Sequence, residues 1–198
     1  MEKKSNCRIC RRLGLKLFLK GEKCNSGKCP FERRSYAPGH LGAKARIRRG
    51  SDYSVQLSEK QKLRAIYGVS EKQLSNYYVQ ARKDKTGSAD ILLQLLERRL
   101  DNVVFRAGWS LSRDHARQMI THGLVKVSDK KTKSPGYLVK AQEVLQVEIE
   151  KDRVQKIEQT PWLKIDKDLT KVTVISLPTK PEISDLVNEQ FVIEYYSR

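Results

Sequence analysis

The sequence predicts an α+β protein: an N-terminal metal-knuckle module and a helical domain, with an inserted domain made of a helix pair and a small antiparallel sheet. Three observations carry that prediction. Four cysteines stand as two close pairs within residues 1–50, a stretch with little hydrophobic periodicity. From residue 51 to residue 123, apolar side chains recur at helical spacing between capping signals. From Val125 the apolar period becomes two, and helical spacing returns only at residues 182–198.

The cysteine spacing is Cys7-x2-Cys10 and then Cys24-x4-Cys29. Two short-gapped pairs form two knuckles able to close a tetrahedral site, with Gly27 letting the second one turn. Arg8, Arg11, Arg12, Lys23 and Lys28 flank the thiols. Nearby cations are expected to lower thiol pKa values and favour thiolate ligands. Two disulfides are the competing reading, but nothing in the sequence indicates an oxidising compartment. Zinc on Cys7, Cys10, Cys24 and Cys29 is the leading expectation; an iron–sulfur cluster also accepts four thiolates. No fourth position is left open, so the metal is expected to be structural. A segment this charged buries too little apolar surface to fold without a metal, a cross-link or a partner.

The helical stretch follows. Ser58 with Gln61 reads as a capping box, followed by Leu63, Ile66 and Tyr67, with Gly68 as the stop. Ser70 with Gln73 repeats the box before Leu74, Tyr77, Tyr78 and Ala81. Gly87 and Ser88 open one expected helix whose stripe runs from Leu92 through Leu100 to Val104, ending at Gly108. A shorter helix fills residues 110–123, capped by Ser112 and stopped by Gly123. Its Arg113 and Arg117, four apart, share a face.

Short strands come next: Val125 and Val127, Leu145 to Ile149, Leu163 and Ile165, Val172 and Val174. Residues 128–136 read as a polar, basic turn. Pro178 and Pro181 end the sheet. The final FVIEYY segment must bury its aromatic rings, and the first helical block is the expected acceptor. The expected boundaries are therefore 1–45 for the four-cysteine module, 46–90 with 182–198 for the helical domain, and 91–181 for the inserted domain.

Charge restricts the function. The net charge is +17. Residues 1–50 carry 15 basic against 3 acidic residues, and residues 97–140 carry 10 against 4. Single-sign blocks point to phosphate neutralisation rather than to solubility alone. The longest apolar run, Ile91 to Leu96, is broken by Gln94 and falls far short of the ~20 residues of a membrane span. The start, MEKKSNC, lacks the apolar stretch of a secretory signal. A soluble, intracellular protein that seeks polyanions is expected. His40, His115 and His122 are the only histidines. No phosphate-loop, dinucleotide or nucleophile-elbow motif occurs. Asp101 and Asp114 lie beside arginines as ion-pair partners, and Asp166 and Asp168 sit in a turn. No acid/base dyad stands apart from cations, so an enzyme is not expected.

ERRLDNVVFRAG (97–108), SRDHARQMITHG (112–123) and the strands after them resemble the S-four RNA-binding domain. CRIC…CPFERRSYAPGHLG (7–42), SDYSVQLSEKQKLRAIYGVSEKQLSNYY (51–78) and FVIEYYSR (191–198) are similar to the bacterial-type family of small-subunit ribosomal protein number four. The chain departs from that pattern at Ser128-Asp129, where an Asn-Gly turn is usual, at Pro135-Gly136, at Ala141-Gln142 and at His40-Leu41. The resemblance implies a structural constituent of the small ribosomal subunit, in the cytoplasm or an organelle of bacterial descent. It implies early binding of small-subunit ribosomal RNA at a multi-helix junction, and contact with small-subunit proteins number five and number three near the messenger entry channel. Some members repress their own messenger.

The RNA-facing residues expected on this basis form two patches, because RNA junctions are read by shape through phosphate and 2′-hydroxyl contacts. One is Arg99, Arg106, Ser112, Arg113, Arg117, Lys126, Lys130, Lys131 and Lys133, with an ion-pair role competing at Arg99. The other is Arg8, Arg11, Arg12, Lys16, Lys20, Arg33 and Arg34, with Tyr36 and His40 as stacking groups. Lys44, Arg46, Arg48 and Arg49 extend it as a basic strip toward the messenger path. Two rivals compete: a fragment of an RNA-modifying enzyme, which needs a catalytic domain not visible here, and a zinc-dependent DNA-binding regulator, for which no dimer seam shows.

Overall fold

The computed structural model describes residues 5–40, 42–44, 50–83, 87–148, 160–166, 169–179 and 186–198, with Lys44 described by its backbone only. The expectations on Arg46, Arg48, Arg49, the Lys44 side chain, Ile149, Asp168 and Pro181 lie outside the described residues. The helices are α1 (Asn6–Leu13), α2 (Glu22–Asn25), α3 (Pro30–Arg33), α4 (Asp52–Tyr67), α5 (Glu71–Ala81), α6 (Ser88–Glu97), α7 (Leu100–Arg106), α8 (Arg113–Thr121) and α9 (Glu189–Ser197). The strands are β1 (Val125–Val127), β2 (Lys130–Lys131), β3 (Val144–Val147), β4 (Leu163–Ile165) and β5 (Lys171–Val174). Two compact units result: Met1–Tyr78 with Ile183–Arg198, and Val79–Glu182.

In the first unit, α4 runs along α9. Leu63, Ile66, Tyr67, Leu74 and Val192 are buried between these helices and the start of α5. Tyr78 stacks on Tyr196 with ring centroids 4.9 Å apart, and Gln56 Nε2 donates to Glu194 Oε2 at 2.9 Å. The aromatic end thus packs on the first helical block, with Val192 buried and Phe191, Tyr195 and Tyr196 half-buried. Ser58 is not a cap. It lies inside α4, which begins several residues earlier, where Ser51 Oγ accepts from the Ser54 amide at 3.4 Å and Asp52 faces the positive end of the helix dipole. The second box is real and reciprocal: Gln73 N donates to Ser70 Oγ at 3.2 Å and Ser70 N to Gln73 Oε1 at 3.0 Å.

A buried lysine ties these helices together. Lys60 Nζ lies 2.6 Å from Glu71 Oε1 and 4.2 Å from the Tyr195 ring centroid. Burial raises the Glu71 carboxyl, but the hydrogen bonds from Lys60 and Tyr196 outweigh it and leave the group below its ordinary value.

In the second unit, the long helix expected from residue 88 to Gly108 is two helices. The chain is extended at Arg99 (φ −63°, ψ 137°). There the Leu100 amide donates to Tyr137 O at 2.8 Å, the Asp101 amide to Pro135 O at 3.1 Å, and Val139 N to Arg98 O at 2.9 Å. Hydrogen bonds to a distant loop replace the helical ones, which no local periodicity reveals. Ser112 caps α8 as expected, its Oγ accepting from His115 N at 3.2 Å.

The sheet is antiparallel throughout, in the order β2-β1-β3-β5-β4. Val125, Val127, Leu145, Val147, Val172 and Val174 alternate onto one face and pack with Val103, Val104, Ala116 and Ile120 of the helix pair. The polar turn expected at 128–136 contains a strand: Val127 pairs with Lys130 across Ser128-Asp129. Both turn residues adopt positive φ, +45° and +66°, which a two-residue hairpin of the I′ kind requires. The chain therefore keeps the tight hairpin without a glycine.

Candidate nucleic-acid interface

The helix pair α7–α8 carries a polar network on its surface edge. Asp101, 1% exposed, receives Arg99 through Nε at 3.1 Å and Nη2 at 2.8 Å. It also receives Arg117, whose Nε and Nη2 reach Oδ2 at 3.1 and 2.7 Å. Glu97, equally buried, accepts from Asn102 Nδ2 at 2.8 Å and from Arg106 Nη2 at 3.3 Å. Arg113 Nε donates to Asn102 Oδ1 at 2.8 Å, and its guanidinium lies 4.6 Å from the Phe105 ring centroid. A buried carboxylate persists as an anion only with such partners.

This geometry corrects two expectations. Arg99 is 2% exposed and turned inward against Asp101, and Arg106 is drawn in to Glu97. Both neutralise buried carboxylates, Arg99 from the interior and Arg106 from a half-buried position. Ser112 acts locally as the cap. Arg113 and Arg117 sit half-buried at the edge, and Lys130, Lys131 and Lys133 are exposed on the hairpin and just after it. Lys126 is engaged by Glu148 at 2.7 Å. The hydrogen bond from Lys126, with the charges of Lys126 and Lys131, holds the Glu148 carboxyl below its ordinary value. Glu148 escaped the sequence reading, since only strand pairing brings it beside Lys126. Asp101 was legible as an ion-pair partner, and Asn102 was not.

In the other unit the four cysteines line one small cavity, together with Asn6, Lys16, Leu19, Lys20 and Phe31. Cys10, Cys24 and Cys29 are buried, Cys7 is half-buried, and all four thiols are free. Lys20 N donates to Cys24 Sγ at 3.4 Å. Among the described residues, no group of three or more His, Cys, Asp or Glu is gathered tightly enough to hold a metal ion as it stands. The expected lowering of thiol pKa fails at Cys10. Burial pushes this thiol up, and the charges of Cys24, Cys7 and Cys29 add to it against a lowering backbone hydrogen bond at Leu17. The flanking cations Arg8 and Arg12 are exposed.

Around this cavity, Arg8, Arg12, Lys20, Arg33, Arg34 and His40 are exposed. Arg11 donates from Nε to Tyr36 O at 3.0 Å and lies 5.0 Å from the Tyr36 ring centroid. Lys16 pairs with Glu32, and that hydrogen bond raises its pKa. Tyr36 is 39% exposed.

Two family descriptions match successive parts of the chain: the ribosomal protein S4/S9 N-terminal domain over residues 2–97 and the S4 domain over residues 98–145. Helix pair, sheet and surface cations together thus define an S4-domain protein. Relatives match across nearly the whole length. The small ribosomal subunit protein uS4 of Dictyoglomus thermophilum is 44% identical over 98% of this chain and 97% of its own. That of Thermus thermophilus is 45% identical over 97% and 96%, and that of a Thermoanaerobacter species is 44% identical over 97% and 96%. The chain belongs to the ribosomal protein uS4 family.

Proposed function

We propose that this chain is a structural constituent of the cytoplasmic small ribosomal subunit that binds small-subunit ribosomal RNA directly. The observation that carries this is the uS4 match, which extends over both units. No residue plays a catalytic part. An RNA-modifying enzyme and a DNA-binding regulator both lack support, since relatives matched over 96–97% of their length carry the ribosomal name. No helix among the described residues is long and apolar enough to cross a membrane.

The finer reading is as follows. Arg113 and Arg117 on α8, with Lys130, Lys131 and Lys133 on the hairpin, meet phosphates at a multi-helix junction early in assembly. Arg8, Arg12, Lys20, Arg33 and Arg34 form the second contact. Zinc is held by Cys7, Cys10, Cys24 and Cys29. Four soft sulfur donors on one cavity, two of them already accepting a backbone N–H, suit it. Bound there, the ion supplies no reaction and cross-links three short helices. Small-subunit proteins number five and number three are the protein neighbours, and the strip from Lys44 to Arg49 lies toward the messenger entry path. Co-sedimentation of the chain with small ribosomal subunits through high salt supports this reading, and recovery of the folded chain only in the supernatant contradicts it.

A further inference from the structure

Two adjacent residues of α7 each hold one arginine of α8. Asp101 takes Arg117 and Asn102 takes Arg113. The two arginines stand one helical turn apart, so neighbouring acceptors on one helix set the separation of two cations on the next. The acceptors are themselves immobile. Arg99 clamps Asp101 with two hydrogen bonds, and Asn102 is anchored to Glu97. Asp101, Asn102 and Glu97 are 1%, 0% and 1% exposed, whereas the Arg117 side chain is 28% exposed.

Neutralising Asp101 does not require Arg117. Arg99 is buried with it and already supplies a two-point pair. The second guanidinium is surplus to the needs of burial, and it is the one at the surface. An arginine that meets a phosphate from a mobile state loses rotamer freedom on binding; one already held does not. A buried carboxylate behind a phosphate-binding edge repels the ligand, so its presence there calls for a compensating role.

We propose that Asp101 and Asn102 are positioning residues for RNA recognition, holding Arg117 and Arg113 at a fixed separation before RNA arrives. This rests on the reading that Arg113 and Arg117 contact small-subunit ribosomal RNA. Electrostatics and positioning predict opposite signs for Asp101→Asn. Removing an anion from behind the binding edge alone tightens binding, while releasing Arg117 weakens it.

The test uses the full-length chain and an in vitro transcript of small-subunit ribosomal RNA, by filter binding at one fixed salt concentration. Asp101→Asn is expected to weaken binding about fivefold, the scale of immobilising one long side chain. In an Arg117→Gln background the same change is expected to add less than about twofold, because it acts through Arg117. Equal or tighter binding by Asp101→Asn, while Arg117→Gln still weakens it, overturns the inference and leaves the proposed RNA contact standing. No loss from Arg113→Gln and Arg117→Gln together overturns that contact and the inference with it. Should Asp101→Asn lose its cooperative melt, nitrogen relaxation on the unaltered chain decides. Arg113 and Arg117 Nε order parameters near ~0.85 support the inference, and values below about 0.6 overturn it.

Discussion

The edge of the α7–α8 pair and the cysteine module both present cations, yet they fix them by different means. On α7–α8, buried carboxylates and an amide belonging to the protein hold the arginines in place. In the module, three short helices surround four free thiols, and most of the cations around them are exposed. One site is finished by folding, and the other, on the proposed zinc reading, is finished by a bound ion. With the proposed zinc in place, each patch has its own vulnerability: chelation for the module, and loss of charge complementarity for the helix pair.

Removing the proposed zinc gives the largest expected effect. Zinc addition to the full chain is expected to raise helical circular dichroism from α1–α3, and chelation or Cys7→Ser with Cys24→Ser to abolish the gain, since the binding energy of a structural site is folding energy. The melt of the second unit stays unchanged. A chain that binds no metal by elemental analysis and loses no signal in the double variant breaks the comparison on its first side.

Next in size is charge reversal on α8. Arg113→Glu with Arg117→Glu is expected to weaken binding to small-subunit ribosomal RNA at least about tenfold, since each lost charge-assisted contact is worth roughly 1 kcal/mol and reversal adds repulsion. Filter binding at constant salt measures it.

A smaller effect belongs to Glu71, which stabilises the first unit only. Its folded pKa is depressed by Lys60 and Tyr196. The stabilisation is therefore complete above the unfolded carboxyl value near ~4.3 and is lost as pH falls through the folded one. Glu71→Gln is expected to lower the melting temperature at pH 7, with the gap to the unaltered chain closing below about pH 4. A gap that does not narrow as pH falls from the unfolded carboxyl value toward acid contradicts the ion-pair account.

The smallest change is at the hairpin. Replacing Ser128-Asp129 by Asn-Gly puts glycine at one of the two positive-φ positions and asparagine, which tolerates the left-handed region better than serine, at the other, and is expected to stabilise the second unit by about 0.5 kcal/mol. Thermal melting reads it, and RNA affinity is expected to hold.

Much of this architecture was legible because it is local. The Ser70–Gln73 box, the Ser112 cap and the alternation of Val125 and Val127 each depend on residues within a few positions of one another. The Ser58–Gln61 pattern was a decoy, because nothing local distinguishes a box from the same residues inside a longer helix. The break at Arg98–Arg99 was hidden, since its hydrogen bonds run to residues 135–139. The cation patches were visible as charge, but their inward or outward sense was not. Arg99 has a competing ion-pair role in sequence, but its burial does not show there, and only the placement of Asp101 under both Arg99 and Arg117 separates the buried one from the surface one.

The most direct measurement compares binding of the full-length chain to a small-subunit ribosomal RNA transcript with binding to duplex RNA of equal length, across a salt series. The account predicts that the transcript is preferred by more than about a hundredfold at moderate salt, a preference that counterion release alone does not generate. Equal affinity for the two, from a chain that melts cooperatively, would contradict it.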